Sequence, residues 1–546
     1  MGLTGGGGGG IGGGPSNHSS NGSFNSRDGG RNKKAKSGSG KVNLLKLPKA
    51  ILNAGKYPKP KIVKDAIPLL DDELQVLTRD APFIEANAPN PNIVLLDRKE
   101  VIVGEMLGQG QFAHVFSVQN FELRPPASPS ATTASSSSTS TAMPTTIAST
   151  ASTATKAEQA KRHTFVQEYN NHQSDCHSQH CCRRYAIKHL KRDLLLTPAR
   201  RRIITLRLKA SNNRKAKTAN SNAAAAGEPA IPEADVDAEL PMDQQFQLAA
   251  ADLVVEALYL SRLQHKHIVA VRGLSAGGTT AFGNGRYDSY FLILDKLAET
   301  LDQRIRNWRQ TMGSPQEAQL MTKTYYAFQM AQALEYLHRR RIVFRDLKPS
   351  NIGFTEQNDQ VLQIFDFGLC RELPPRTAAG AVYGDDGDPN EVYFMTAAGT
   401  HRYMAVEVLM GQQYNAKADV YSFAMVFYEL LAQEAPFLNF DDQHHRMLVC
   451  ERKHRPNHFF GCVVPQSIHQ LLADAWEHEI ADRLTMKQVV TRLEDVLVNT
   501  FQQTVQEGPD GVKVLEEDTN RSGAAANHAS RCLGKPVSSC VSVGGA

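Results

Sequence analysis

The stretch Phe344-Arg345-Asp346-Leu347-Lys348-Pro349-Ser350-Asn351, "FRDLKPSN", sets a carboxylate, an ammonium group and a carboxamide close together in the chain. Downstream, the apolar run "VLQIF" delivers a second carboxylate in Asp366-Phe367-Gly368. Such a set suits phosphoryl transfer, which needs oxygen ligands for Mg²⁺, a base near the acceptor hydroxyl and a cation on the moving phosphoryl group. Asp366 and Asn351 can supply the metal ligands. Asp346 can orient the hydroxyl and accept its proton, and Lys348 can neutralise charge on the γ-phosphate.

Upstream, "GQGQFAHV" (108–115) is a glycine loop with Ala113 at its third small position. A dinucleotide-binding loop would open a helix, whereas "HVFSV" reads as a returning strand, so the loop belongs in a hairpin. There Gly108 and Gly110 would let backbone N–H groups approach phosphates. Lys188 in the strand "YAIK" is either a snorkelling surface residue or a phosphate-holding lysine positioned by a carboxylate. Glu256, inside the apolar helix "LVVEALYLSRL", is the candidate partner. Five strands precede a series of helices, among them "ADVYSFAMVFYELLAQ", so the pattern is α+β with two lobes and a site in the cleft between them.

The 546 residues are not all foldable. Residues 1–91, inserts at about 124–180 and 199–243, and the tail 504–546 are expected to be disordered, because their compositions cannot bury enough apolar surface to offset ordering entropy. The folded body is expected at 92–503. The net charge of +5 is uneven: residues 1–64 carry 12 basic residues against one acidic. A self-solvating tail is favoured over an electrostatic binding arm, and nucleic acid is not expected as a partner. No apolar run reaches the roughly 18 residues of a membrane span. Eight cysteines are too sparse for a disulfide scaffold and fit a reducing compartment. The cytoplasm is the expected location, with the cluster Arg31, Lys33, Lys34 and Lys36 leaving nuclear import open.

In order and context these motifs resemble a eukaryotic protein kinase over residues 98–500. The resemblance implies a small β-rich N-lobe and a larger helical C-lobe, with ATP and Mg²⁺ (or Mn²⁺) as cofactors and proteins as substrates. It puts Leu107, Gly108, Gly110, Val115, Ala186, Lys188, Glu256, Leu294, Asp295 and Leu297 around ATP, with Leu294 as gatekeeper and Asp295-Lys296-Leu297 as hinge. Asp346 and Lys348 become catalytic, and Asn351 and Asp366 metal-binding. Asp419 would hold the catalytic loop from below, and Arg483 would pair with Glu407 of "AVE". Lys348 and Thr400 resemble the serine/threonine kinases, and "DVYSFAMVFYELL" with "RPN" resembles the tyrosine-kinase-like group.

The chain departs from the family at Ala113, Phe344, Gly353, Val406 and Leu484. Phe344 stands in a histidine's place: it keeps the apolar contact with Phe367 and loses one hydrogen bond, worth roughly 1 kcal/mol. Gly353 replaces a bulky floor of the adenine site. Every residue expected to handle phosphate, metal or hydroxyl is present, so an active serine/threonine kinase is favoured over a pseudokinase scaffold. An interaction hub worked by the tails has no periodic or aromatic motif behind it. In the activation segment Thr396 is the preferred phosphorylation site, ahead of Tyr393 and Thr377, with Arg345 as the receiver; the alternative is that "GDDGD" only keeps a surface loop solvated. The crowded Cys176, His177, His180, Cys181 and Cys182 read as a polar insert end in preference to a zinc site.

Overall fold

Apolar and β-branched residues on either side of the glycine loop form a pair of long strands, and the rest of the N-terminal half assembles on them. The computed structural model describes residues 60–78, 81–110, 112–123, 156–174, 184–192, 242–310, 316–355, 361–374, 388–457, 459, 463–502, 505–507 and 513–515. Its first elements are helices α1 (Pro60–Thr78) and α2 (Pro82–Ala86), then strands β1 (Val94–Leu96), β2 (Val101–Gln109) and β3 (Ala113–Phe121). Helix α3 (Lys156–Ser174), strand β4 (Tyr185–Leu190), helix α4 (Met242–Leu260) and strands β5 (Val271–Ser275) and β6 (Phe291–Asp295) complete this half.

The sheet has six strands in the order β1-β5-β6-β4-β3-β2. All pairs are antiparallel except β1 on β5. The sixth strand was not expected; three residues, "VLL", are too short to show an alternating pattern. Apolar residues surround the whole circumference of α4, and from 248 to 261 all but Asp252 are buried. A helix of that kind needs cover on all sides. The sheet supplies one side and α1 another, through Val63, Leu70 and Leu74.

The second half begins with β7 (Leu297–Thr300), α5 (Leu301–Gln310) and α6 (Gln316–His338). Short strands β8 (Ile342–Val343), β9 (Ile352–Thr355), β10 (Leu362–Ile364) and β11 (Arg371–Glu372) carry the loops of the site. Helices α7 (Val406–Leu409), α8 (Lys417–Ala432), α9 (Asp442–Arg446), α10 (Gln466–Ala475) and α11 (Met486–Phe501) follow, then the hairpin β12 (Val505–Glu507) and β13 (Lys513–Leu515). Every residue of α8 is buried, which makes it the axis of this lobe.

Three stretches expected to be disordered are ordered in part. Helices α1 and α2 lie within 1–91, α3 lies within the insert at 124–180, and β12–β13 lie within the tail at 504–546. Helix α3 looks polar because it buries only one narrow face. Its Phe165, Val166 and Tyr169 pack on Phe121 and Tyr185, and the Tyr169 hydroxyl donates to Val118 O at 2.6 Å. Thr377 and the cysteine–histidine group at 176–182 lie outside the described residues, as do the glycine-rich start and the basic cluster at 31–36.

Candidate active site

Between the lobes lies a cavity of about 490 Å³. Leu107, Gly108, Gly110, Val115, Ala186, Lys188, Glu256, Leu294, Asp295 and Leu297 all line it, as do Asp346, Lys348, Asn351 and Asp366. Sheet register sets its roof: Gly108 pairs with Val115, and Ala186 with Leu294. The glycine stretch is a hairpin, as expected, closed by Gly110 N–H donating to Ala113 O at 2.9 Å. A Cβ added at Gly108 would meet nothing within 4 Å, so this turn leaves open space over the cavity.

Lys188 Nζ donates to Glu256 Oε2 at 2.6 Å and to Asp366 Oδ1 at 2.8 Å. Burial works to lower the lysine's pKa, but Asp366 and Glu256 outweigh it and the net shift is upward. Burial also pushes Glu256 above the usual carboxylate range, with Lys188 opposing and Asp366 assisting. A lysine within reach of two carboxylates keeps its proton, and a single ammonium cannot fully offset both acids. The trio therefore has one negative charge in excess when ionised, which suits a nearby cation.

On the lower lobe, Asp419 organises the loop that carries Asp346. It is fully buried, and its carboxylate accepts from Phe344 N–H at 2.7 Å and Arg345 N–H at 2.8 Å. His338 Nε2, at the end of α6, lies 2.9 Å from the same carboxylate. Sequence reading missed His338, since a histidine ending a helix carries no signal of a partner 81 residues away. Phe344 is fully buried and meets Phe367 edge to face, with ring centroids 5.1 Å apart.

Asp346 accepts from Lys348 Nζ at 2.7 Å and from the Thr400 hydroxyl at 2.7 Å, and Lys348 also donates to Thr400 at 3.1 Å. The loop 344–351 thereby holds the segment that follows Asp366 at Thr400. Asn351 donates its amide nitrogen to Asp346 O and Oδ2, at 2.9 and 3.2 Å, which leaves its carboxamide oxygen for an electrophile. The Asp366 side chain is 42 % exposed, and its backbone is left-handed at φ 72°. Two hard oxygen donors of this kind fit Mg²⁺, which takes its remaining ligands from phosphate or water.

Arg345 is buried and points at the activation segment. It donates to Leu369 O at 2.6 Å, Thr396 O at 3.1 Å and the Tyr414 hydroxyl at 3.1 Å. Gly399, at φ +122°, passes so close that an added Cβ would lie 2.3 Å from Arg345 O. Glu407 and Arg483 form a buried two-pronged ion pair at 2.7 and 2.9 Å. Asp295 has its carboxylate engaged by Arg272 at 2.8 and 2.7 Å, so its backbone is what it offers the cavity. Gly353 does not line the cavity, and the side chain of Leu297 covers it.

Residues 239–493 match the family model of the protein kinase domain. The serine/threonine-protein kinase VIK of Arabidopsis thaliana is 31% identical over 179 residues, covering 32% of this chain and 38% of that protein. A putative mitogen-activated protein kinase kinase kinase 7-like protein of Drosophila melanogaster is 26% identical over 276 residues, covering 48% and 59%. The serine/threonine-protein kinase mos of Patiria pectinifera is 29% identical over 240 residues, covering 42% and 60%. The chain thus spans between 38% and 60% of the length of these relatives. Residues 239–493 thus match the protein kinase domain, and the relatives named here that are called serine/threonine-protein kinases are similar to this chain over less than two thirds of their own length.

Proposed function

We propose that this protein is a catalytically competent kinase that transfers the γ-phosphate of ATP to serine or threonine hydroxyls of proteins. The observation that carries the reading is the Lys188 bridge to both Glu256 and Asp366, at 2.6 and 2.8 Å. It joins the upper-lobe helix to the metal-binding carboxylate in the arrangement that phosphoryl transfer needs. Mg²⁺, bound by Asp366 and Asn351, would neutralise phosphate charge. Lys188 would hold the α- and β-phosphates, and the Gly108–Gly110 turn would cover them. Asp346 would accept the hydroxyl proton while Lys348 faces the transferred group. Thr400, already on both, would mark where the acceptor hydroxyl enters.

Membership of the tyrosine-kinase-like group and a cytoplasmic location, with nuclear entry open, belong to this proposal. So does phosphorylation of Thr396, beside Arg345. Mass spectrometry of active protein is expected to find phosphate on Thr396; an unmodified Thr396 in fully active chain removes that part.

The test is phosphate transfer from Mg-ATP to a generic protein substrate by the native chain and by Asp366→Asn. Phosphoserine or phosphothreonine formed by the native chain alone is expected, with the variant down by at least about 100-fold. If neither transfers phosphate and the native chain fails to bind ATP, the protein is a pseudokinase scaffold.

A further inference from the structure

Helix α4 carries Glu256, so whatever fixes α4 fixes the Lys188 bridge. Its outer surface is covered by the chain's own N-terminal segment. Val63 and Leu70 of α1 are fully buried and Leu74 nearly so, and α1 packs on both α4 and the turn Gly278–Asn284. Past α1 the segment is fastened at both ends of a short path. Arg262, just beyond α4, donates to Ile84 O at 3.2 Å and Asn87 O at 2.7 Å, and Asn90 N–H donates to Ser261 O at 2.7 Å. The second fastening is Glu372 in β11, whose carboxylate accepts from Phe83 N–H at 2.6 Å and Ile84 N–H at 3.2 Å.

Glu372 follows Asp366 closely in the chain, so the N-terminal segment grips both α4 and the start of the activation segment. Those two bodies also touch directly: a Cβ at Gly368 would lie 2.9 Å from Asp252 O of α4. Displacing α4 outward would strip apolar cover from α1 and pull the Phe83–Asn87 turn off Glu372. Buried groups left without partners make such a shift costly.

We propose that α1 and residues 81–90 are an internal clamp that sets α4 in the position where Glu256 meets Lys188, with Glu372 and Arg262 as positioning residues acting through α4. The catalytic consequence rests on the kinase reading above; the clamp itself does not.

The experiment uses the full chain with Glu372→Gln, Glu372→Ala and Leu70→Asp. Amide hydrogen exchange is followed in α4 (252–260) and in the α8 core, together with binding of a fluorescent Mg-ATP analogue. Glu372→Gln keeps the shape of the side chain, so it reports even if a harsher variant fails to fold. Exchange in α4 is expected to quicken about tenfold with α8 unchanged, and the analogue to bind severalfold more weakly. A peptide of residues 57–91 added to Leu70→Asp is expected to restore protection. Unchanged α4 exchange in Glu372→Gln, or equal quickening of α4 and α8 in all variants, would overturn the clamp. Because exchange is read without phosphate transfer, an inactive native chain would refute the kinase reading and leave this result standing.

Discussion

Leu297 fills the space that a side chain on Gly353 would need. A Cβ built on Gly353 would lie 2.7 Å from Leu297 Cδ1 and 3.3 Å from Leu297 Cβ. The two residues sit on neighbouring strands, β7 and β9, with a register shift between Leu297 and Glu299. Gly353→Leu is expected to cost about 1–3 kcal/mol in stability and to weaken nucleotide binding, as overpacking does. Leu297→Ala in the same chain should recover most of both losses. Thermal unfolding and nucleotide titration check the pair; a double variant no better than Gly353→Leu alone would refute the exchange of roles.

Phe344 acts as a packing residue beneath Phe367. Phe344→Ala should lower stability by about 3–5 kcal/mol, the usual cost of emptying a buried aromatic site. Phe344→His should change turnover by less than about tenfold, since one hydrogen bond is at stake. Urea unfolding and kcat together separate the two outcomes.

Arg483 is only 1% exposed and its partner Glu407 only 4%. Removing one member strands a buried charge, so Arg483→Met should destabilise the fold by about 3–5 kcal/mol. Arg483→Met with Glu407→Leu should return a large part of that loss. Chemical denaturation of the three chains tests this.

Glu429 is buried on α8 and accepts the Tyr403 hydroxyl at 2.7 Å. Burial, against that hydrogen bond, pushes its carboxyl up to about 7 from the ordinary 4.5. The folded state therefore holds this proton more tightly than the unfolded chain does. Its contribution to stability is full below about pH 4.5, falls as pH rises and levels off above about 7. Glu429→Gln should remove a pH-dependent loss on the order of 2–3 kcal/mol between pH 5 and 8. Parallel stability curves for the two chains over that range would refute the assignment.

The site was legible in the sequence because its chemistry sits in short motifs. Asp346, Lys348, Asn351 and Asp366 are recognisable by type and spacing, and the cavity collects them all. What sequence could not give is contact between motifs with no fixed spacing, such as His338 on Asp419 or Leu297 over Gly353. The N-terminal clamp was missed for another reason. Segment 1–91 has the composition of a solvated tail when averaged, and the few apolar residues of α1 become meaningful only against α4. Helix α3 was hidden by the same averaging, its one aromatic face diluted by polar neighbours.

Helix α3 also alters how the upper lobe must come together. Strands β3 and β4 are neighbours in the sheet, yet Phe121 and Tyr185 are joined through the whole insert. Closing so long a loop in one step is slow compared with a tight hairpin. Tyr169 and Asn170 bind the carbonyls of Val118 and Phe121 on β3, so the helix can dock there before β4 arrives. The single long closure then becomes two shorter ones. An insertion that lengthens the chain between two strands thus carries its own staging post for assembling them.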